Sequence, residues 1–151
     1  MALSIRSTAF AQGQPIPETY TCDGKGISPP LSWPGAPART KSFALIMDDP
    51  DAPSGTYVHW VIYNIPGAAT GLVEAMPKDG HLVDGSVQGQ NSARRPGYTG
   101  PCPPGGTHRY FFKLFALDTT LSLDAGTKDS LLSAMQGHIL AEGELMGTYS
   151  R

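Results

Sequence analysis

The sequence predicts a mainly β protein, a sandwich of short strands with one or two short helices. Its 151 residues include 18 glycines and 14 prolines without a repeat period, which is typical of short strands joined by defined loops. Several apolar runs carry large side chains on both faces, as strands covered on both sides do. A chain of this length is most simply one domain, residues 1–151, and its core needs neither metal nor disulfide to form.

Four apolar runs are predicted as strands before the helix. The first covers Leu3–Ser7 and the second covers Ser42–Met47, which is apolar on both faces. The third, Val58–Asn64, contains a histidine inside an apolar run, and the fourth, Arg109–Leu117, is polar in its interior only at Lys113. Alternation of this kind is the pattern of a pleated strand.

One helix and one further strand close the pattern. Thr127 or Asp129 is expected to cap the helix, and Gly137 is expected to end it. Its apolar stripe comprises Leu131, Leu132, Ala134 and Met135. A last strand is predicted from Ile139 to Tyr149, whereas the stretches 65–89 and 91–97 are predicted to be irregular.

The run Asp48-Asp49-Pro50-Asp51-Ala52-Pro53 ends the second predicted strand. Proline fixes its own φ and donates no hydrogen bond, so two prolines three residues apart predict a stiff, turned loop. Such a loop holds carboxylates in fixed directions. Asp48 itself is interpreted as a simple turn former.

A second stiff loop, residues 100–106, leads into the fourth predicted strand. It contains three prolines and three glycines, and His108 and Tyr110 follow it. His59 lies near the start of the third strand, so the two histidines and the two loops predict a small, pre-formed pocket. The glycines are expected to let the backbone approach a ligand closely.

Two histidines, a tyrosine hydroxyl and backbone N–H groups are typical of a site for a small anion. The predicted ligand is phosphate, a phosphomonoester or a carboxylate. If both histidines serve the anion as imidazolium, its affinity should fall as the pH rises through their pKa values.

Charge and hydropathy exclude other partners. The net charge is −2 and the longest basic stretch is Arg94-Arg95, so nucleic acid is not expected as a partner. No apolar run approaches the roughly 20 residues that cross a bilayer, and the N-terminus lacks the features of a secretory signal. We therefore expect a cytoplasmic protein without a membrane span.

Cys22 and Cys102 both lie in loops. They are free thiols, a disulfide that ties two loops, or a reactive pair; a reducing compartment favours free thiols. Their spacing of 80 residues is not that of a zinc module.

The order and spacing of short motifs along nearly the whole chain resemble the phosphatidylethanolamine-binding protein family, in its bacterial, Raf-kinase-inhibitor-like branch. The motifs are Tyr20-Thr21-Cys22-Asp23-Gly24, Ser28-Pro29-Pro30-Leu31-Ser32-Trp33, residues 48–53, Val58-His59-Trp60, Asn91-Ser92, Gly100-Pro101-Cys102-Pro103-Pro104, Gly106-Thr107-His108-Arg109-Tyr110, Gly137-His138 and Gly147-Thr148-Tyr149.

The resemblance implies a β-sandwich with Greek-key-type connections. Some members of the family regulate a kinase or a protease, so a kinase or protease is a candidate partner. No cofactor is expected. A homodimer is also implied. The ligand-binding residues that it implies are Asp49, Asp51, Pro53, His59, Gly100, His108 and Tyr110, with Tyr57 at the rim.

Two other functions stay open from the residues alone. In a hydrolase of phosphoryl or acyl esters, His59 would be the general base and Asp49 its orienting partner, with Cys102 the only candidate nucleophile. In a metal site, His59, His108 and Asp51 would be the ligands. A binding and regulatory protein, not an enzyme, is the preferred interpretation, because no nucleophile is evident.

Overall fold

The computed structural model describes residues 2–151 and confirms a mainly β fold, with 35% strand and 7% helix. A five-stranded antiparallel sheet has the order β5-β3-β2-β6-β7, and a two-stranded sheet pairs β1 with β4. A short 3-10 helix covers Glu18–Tyr20. The other elements are β1 (Leu31–Ser32), β2 (Ser42–Asp49), β3 (Tyr57–Pro66), β4 (Gly71–Leu72), β5 (Val87–Gln88), β6 (Thr107–Leu117), α1 (Lys128–Met135) and β7 (Ile139–Ser150).

The central strand β2 is buried along its whole length because β3 and β6 flank it and both faces of the sheet are covered. On one face, Phe43 and Phe112 pack with residues from the N-terminal segment and the loops, among them Phe10 and Trp33. On the other face, Leu131 of α1 packs into a second cluster of buried side chains. The apolar pattern on both faces of the second predicted strand is explained by these two layers.

The helix begins as the sequence predicts. Thr127 is the N-cap: its hydroxyl accepts from the Ser130 N–H at 3.3 Å, and Ser130 Oγ accepts from the Thr127 N–H at 2.7 Å. This reciprocal pair is a capping box. Gly137 follows the helix with a φ of 81°, a conformation that glycine adopts without strain.

Two predictions about the secondary structure are wrong. Leu3–Ser7 is not a strand, because the chain there makes only isolated bridges, Ala2 with Glu142 and Arg6 with Ser32. The segment passes from the edge of the large sheet to the small sheet and stays beside neither. The stretch 65–89, predicted as irregular, contains the end of β3 and the short strands β4 and β5.

Asp48 is not a turn former. It is the penultimate residue of β2 and is buried, with a relative exposure of 1%. Its Oδ2 accepts from Lys128 Nζ at 2.7 Å and from Lys113 Nζ at 3.2 Å. Since Lys128 opens α1 and Lys113 lies on β6, this carboxylate ties the helix to the sheet.

We expect Asp48→Ala to lower the free energy of unfolding by about 2 kcal/mol, because it removes the buried acceptor of two lysines. Chemical denaturation measures the change. Asp124→Ala is the matched control, since Asp124 pairs with His81 on the surface and surface pairs contribute little. Equal losses in the two variants would contradict the role given to Asp48.

Among residues 2–151, no helix combines the length and the apolar character that a bilayer crossing requires.

Candidate functional site

A cavity of about 220 Å³ opens where β2 ends and where β3 and β6 begin. The two proline-rich loops form its walls, and its lining is predominantly apolar. The lining residues are Asp49, Ala52, Pro53, Tyr57, His59, Thr99, Gly100, Cys102, Pro103, Pro104, His108 and Tyr110.

A β-bulge turns His59 into this cavity. Met47 pairs with Trp60 and the next residue, Asp48, pairs with Val58, so His59 is an extra residue in β3. Without the bulge, His59 and Trp60 would point to opposite faces of the sheet. With it, Trp60 enters the core while the His59 ring lies 5.3 Å from the ring of Tyr110.

His108 and Asp49 form a buried pair beside the cavity. His108 Nδ1 lies 2.7 Å from Asp49 Oδ2, and both side chains are less than 10% exposed. Asp49 Oδ1 accepts from the Asp51 N–H at 2.7 Å. Because an ionised carboxylate can only accept, His108 Nδ1 is the donor. The pair therefore fixes the orientation of the His108 imidazole, which lines the cavity.

His59 is held differently. Its Nδ1 lies 2.7 Å from the carbonyl oxygen of Thr99, and its own carbonyl accepts from the Thr99 N–H at 3.0 Å. A carbonyl only accepts, so Nδ1 carries the proton. Burial lowers the pKa of His59 from 6.5. This shift favours the neutral ring, in which Nε2 is a hydrogen-bond acceptor, over the imidazolium form expected from the sequence.

This lowered pKa predicts a pH dependence of stability. The unfolded chain takes up a proton on His59 more readily than the folded chain, so the free energy of unfolding falls as the pH drops below about 6.5. We expect His59→Gln to lose less stability than the parent protein between about pH 7.5 and about pH 5. Denaturation at both pH values measures the difference; parallel losses would contradict the assignment.

Tyr110 supplies a hydroxyl to the site. The side chain is buried, and among residues 2–151 its Oη makes no hydrogen bond of good geometry, although the Asp49 carboxylate lies close enough to act on it. Burial, reinforced by the negative charge of Asp49, raises the pKa of Tyr110. The group therefore stays protonated and can donate. Tyr57 lies at the rim, its ring centroid 4.8 Å from that of His59.

Asp51 is the one predicted site residue that does not line the cavity. Its carboxylate accepts from Arg109 Nε at 2.9 Å, from Nη2 at 2.8 Å and from the Arg109 N–H at 3.0 Å. These bonds lower the pKa of Asp51 to about 2. Asp51 therefore anchors its loop to β6, while the other six predicted residues surround the cavity.

The catalytic pair considered from the sequence does not form. Asp49 contacts His108 and not His59, whose Nδ1 is engaged by Thr99. The metal set is also not assembled, because Asp51 is bonded to Arg109, and no cluster of three metal-ligating side chains occurs among residues 2–151. Cys102, the candidate nucleophile, is joined to Cys22 in a disulfide.

The glycines of the second loop serve packing more than ligand approach. A Cβ on Gly100 would lie 2.8 Å from the carbonyl oxygen of Tyr20, so Gly100 lets two loops meet. Gly105 and Gly106 face open space. Thr99 was not predicted from the sequence, since a backbone carbonyl acts here and no residue type signals that role.

Sequence comparison finds a matching family and close relatives over nearly the whole chain. The profile of the family described as phosphatidylethanolamine-binding protein matches residues 6–150. A UPF0098 protein of Methanothermobacter thermautotrophicus is 56% identical over 150 residues, which are 99% of each chain. A UPF0098 protein of Aquifex aeolicus is 51% identical over 99% of this chain and 89% of its own.

Two solved structures have the same fold as this chain. A homologue of phosphatidylethanolamine-binding protein from Chlamydia trachomatis superposes with a TM-score of 0.92 at 45% identity, covering 99% of this chain and 98% of its own. E. coli YbcL, described as a member of the mammalian family of these proteins, superposes with a TM-score of 0.91 at 31% identity, covering 100% and 99%.

Proposed function

We propose that this chain, which belongs to the phosphatidylethanolamine-binding protein family, binds a small phosphoryl or carboxylate anion in the histidine cavity and acts as a regulatory binding protein. The observation that carries the proposal is the buried His108–Asp49 pair beside His59 and Tyr110 in one cavity. A volume of about 220 Å³ is below that of pockets for drug-sized ligands, roughly 300–1,000 Å³. The ligand is therefore a head group or a free anion.

The polarity of the site favours a ligand that both donates and accepts hydrogen bonds. Tyr110 Oη is a donor to an anionic oxygen, and His59 Nε2 is an acceptor for a ligand proton. A phosphomonoester carrying one proton has both groups. Asp49 disfavours a fully ionised, unprotonated anion unless its charge is compensated by His108.

The family and the chain's composition support the rest of the proposal. The protein works as a homodimer, and the occupied cavity controls a kinase or protease partner. Light scattering of the purified protein tests the dimer. Inhibition assays on candidate kinases and proteases, with and without phosphate, test the partner.

An NMR titration with phosphate, phosphorylethanolamine and acetate tests ligand binding. We expect saturable shifts confined to residues 49–53, 57–59 and 99–110, with affinity reduced at least about tenfold in His59→Ala, which removes one hydrogen bond to the ligand. His81→Ala is the control, because His81 is an exposed histidine paired with Asp124. The proposal would be contradicted by the absence of shifts with every ligand, or by a ligand affinity in His59→Ala equal to that of the parent protein.

A further inference from the structure

The Cys22–Cys102 disulfide lies on the rim of the cavity and is exposed. Both cysteines are solvent-accessible, and Cys102 lines the cavity together with Pro103 and Pro104. A disulfide in this position can be reached by a reductant without unfolding of the core. It also borders the proposed binding site directly.

The disulfide is the main cross-link of the cavity wall that residues 100–106 form. On one side, the loop is tied by the Cys22 N–H to the Pro101 carbonyl at 3.1 Å. On the other side, Gly106 exchanges two backbone hydrogen bonds with Arg151, at 2.9 and 3.2 Å. Between these ties, residues 102–105 show no backbone hydrogen bond among the described residues, and two of the four are prolines without an N–H.

A guanidinium lies against the two sulfurs. Arg151 Nη1 is 3.1 Å from Cys102 Sγ and 3.7 Å from Cys22 Sγ, and Arg151 Nε is 3.3 Å from Asp23 Oδ2. A nearby cation stabilises a thiolate, and a stabilised thiolate is the better leaving group in thiol–disulfide exchange. The cation lies closer to Cys102, so Cys102 is the sulfur expected to leave.

From this arrangement we propose that Cys22–Cys102 is a thiol–disulfide exchange site for a dithiol reductant, and that its reduction releases the cavity wall and weakens anion binding. The effect on binding rests on the proposed function; the exchange itself does not.

The exchange proceeds in two displacements. A thiolate of the dithiol forms a bond to Cys22 Sγ, the Cys22–Cys102 bond breaks, and its electron pair goes to Cys102 Sγ beside Arg151. The second thiol of the reductant loses its proton, and the resulting thiolate attacks the reductant sulfur of the mixed disulfide, so that Cys22 leaves as a thiolate. Both cysteine thiolates are then protonated from solvent. The protein gains two thiols while the dithiol is oxidised to its own disulfide.

The test treats the folded, oxidised protein with dithiothreitol. We expect two thiols per chain to appear, changed NMR signals for residues 100–106 with unchanged signals in β2, and phosphate affinity reduced about tenfold, all restored by reoxidation. The Cys22→Ser/Cys102→Ser double variant should have the NMR signals and the phosphate affinity of the reduced protein, and dithiothreitol should change neither. Thiols that appear only on unfolding, or full reduction without change in residues 100–106, would overturn the proposal.

The role of the guanidinium has a separate readout. Arg151→Gln should slow reduction about tenfold, because the leaving thiolate loses its cation. Arg109→Gln is the matched control, since it removes one positive charge but Arg109 is bonded to Asp51. Equal rates in the two variants would refute the role given to the Arg151 guanidinium. If the oxidised protein fails to bind phosphate, the proposed function is lost, whereas the thiol count and loop signals still decide the exchange site.

Discussion

Asp49→Ala should abolish phosphate binding and lower the free energy of unfolding by about 3 kcal/mol, since breaking one partner of a buried pair is costly. The carboxylate is 3% exposed and orients His108 through a 2.7 Å hydrogen bond. Its other oxygen accepts from the Asp51 N–H. The substitution therefore frees the imidazole and loosens the first loop of the cavity together.

Two further variants separate the causes. Asp49→Asn keeps the size and an acceptor but removes the charge, so it should retain more stability than Asp49→Ala. Asp51→Ala also loosens the first loop but leaves the Asp49–His108 pair in place, because Asp51 is partly exposed and bonds Arg109 outside the cavity. It therefore shows the effect of the loop alone. Calorimetric titration with phosphate and denaturation measure the effects. Phosphate binding that survives Asp49→Ala would contradict the site as described.

Gly100→Ala is expected to cost about 3 kcal/mol of stability and to weaken anion binding, because overpacking against backbone cannot be relieved by rotating a side chain. The added Cβ would lie 2.8 Å from the Tyr20 carbonyl oxygen and 3.0 Å from Thr21 Cα. That carbonyl already accepts from Tyr98 Oη at 2.7 Å. The two loops would have to separate, and the cavity wall would move with them.

Gly105→Ala is the matched control in the same loop. A Cβ there meets nothing within 4 Å, and replacing an unstrained loop glycine is neutral or mildly stabilising. Thermal denaturation and the phosphate titration compare the two variants. Similar melting temperatures would contradict the predicted clash between a Cβ at position 100 and the Tyr20 carbonyl oxygen.

The strands were predictable where their signal is local. The alternating apolar residues of β2, β3, β6 and β7 and the capping residue Thr127 are read from neighbouring positions. Leu3–Ser7 has a similar local pattern, but it finds no continuous partner strand. A strand requires a neighbour to pair with, and the local pattern does not say whether one is present.

The candidate site divides in the same way. The sequence predicts the two proline-rich loops, His59, His108 and Tyr110 from residue types and spacing, and both histidines, Tyr110 and the three prolines Pro53, Pro103 and Pro104 line one cavity. Their hydrogen-bond partners were not identified. The hydrolase interpretation pairs Asp49 with His59, but Asp49 bonds His108, which is 59 residues away. The sequence predicts a turn former at Asp48, but Asp48 bonds two lysines on other elements.

The sequence by itself determined the class of fold, the stiffness of both loops and the residue types at the cavity, because propensity and proline geometry act within a few residues. Only the tertiary structure decided the pairings. Three of these pairings join distant positions. They are the strand pairing that creates the bulge at His59, the hydrogen bond from His59 to the Thr99 carbonyl, and the Cys22–Cys102 disulfide. Such contacts depend on strand register, and a single extra residue in one strand redirects a side chain from one face of the sheet to the other.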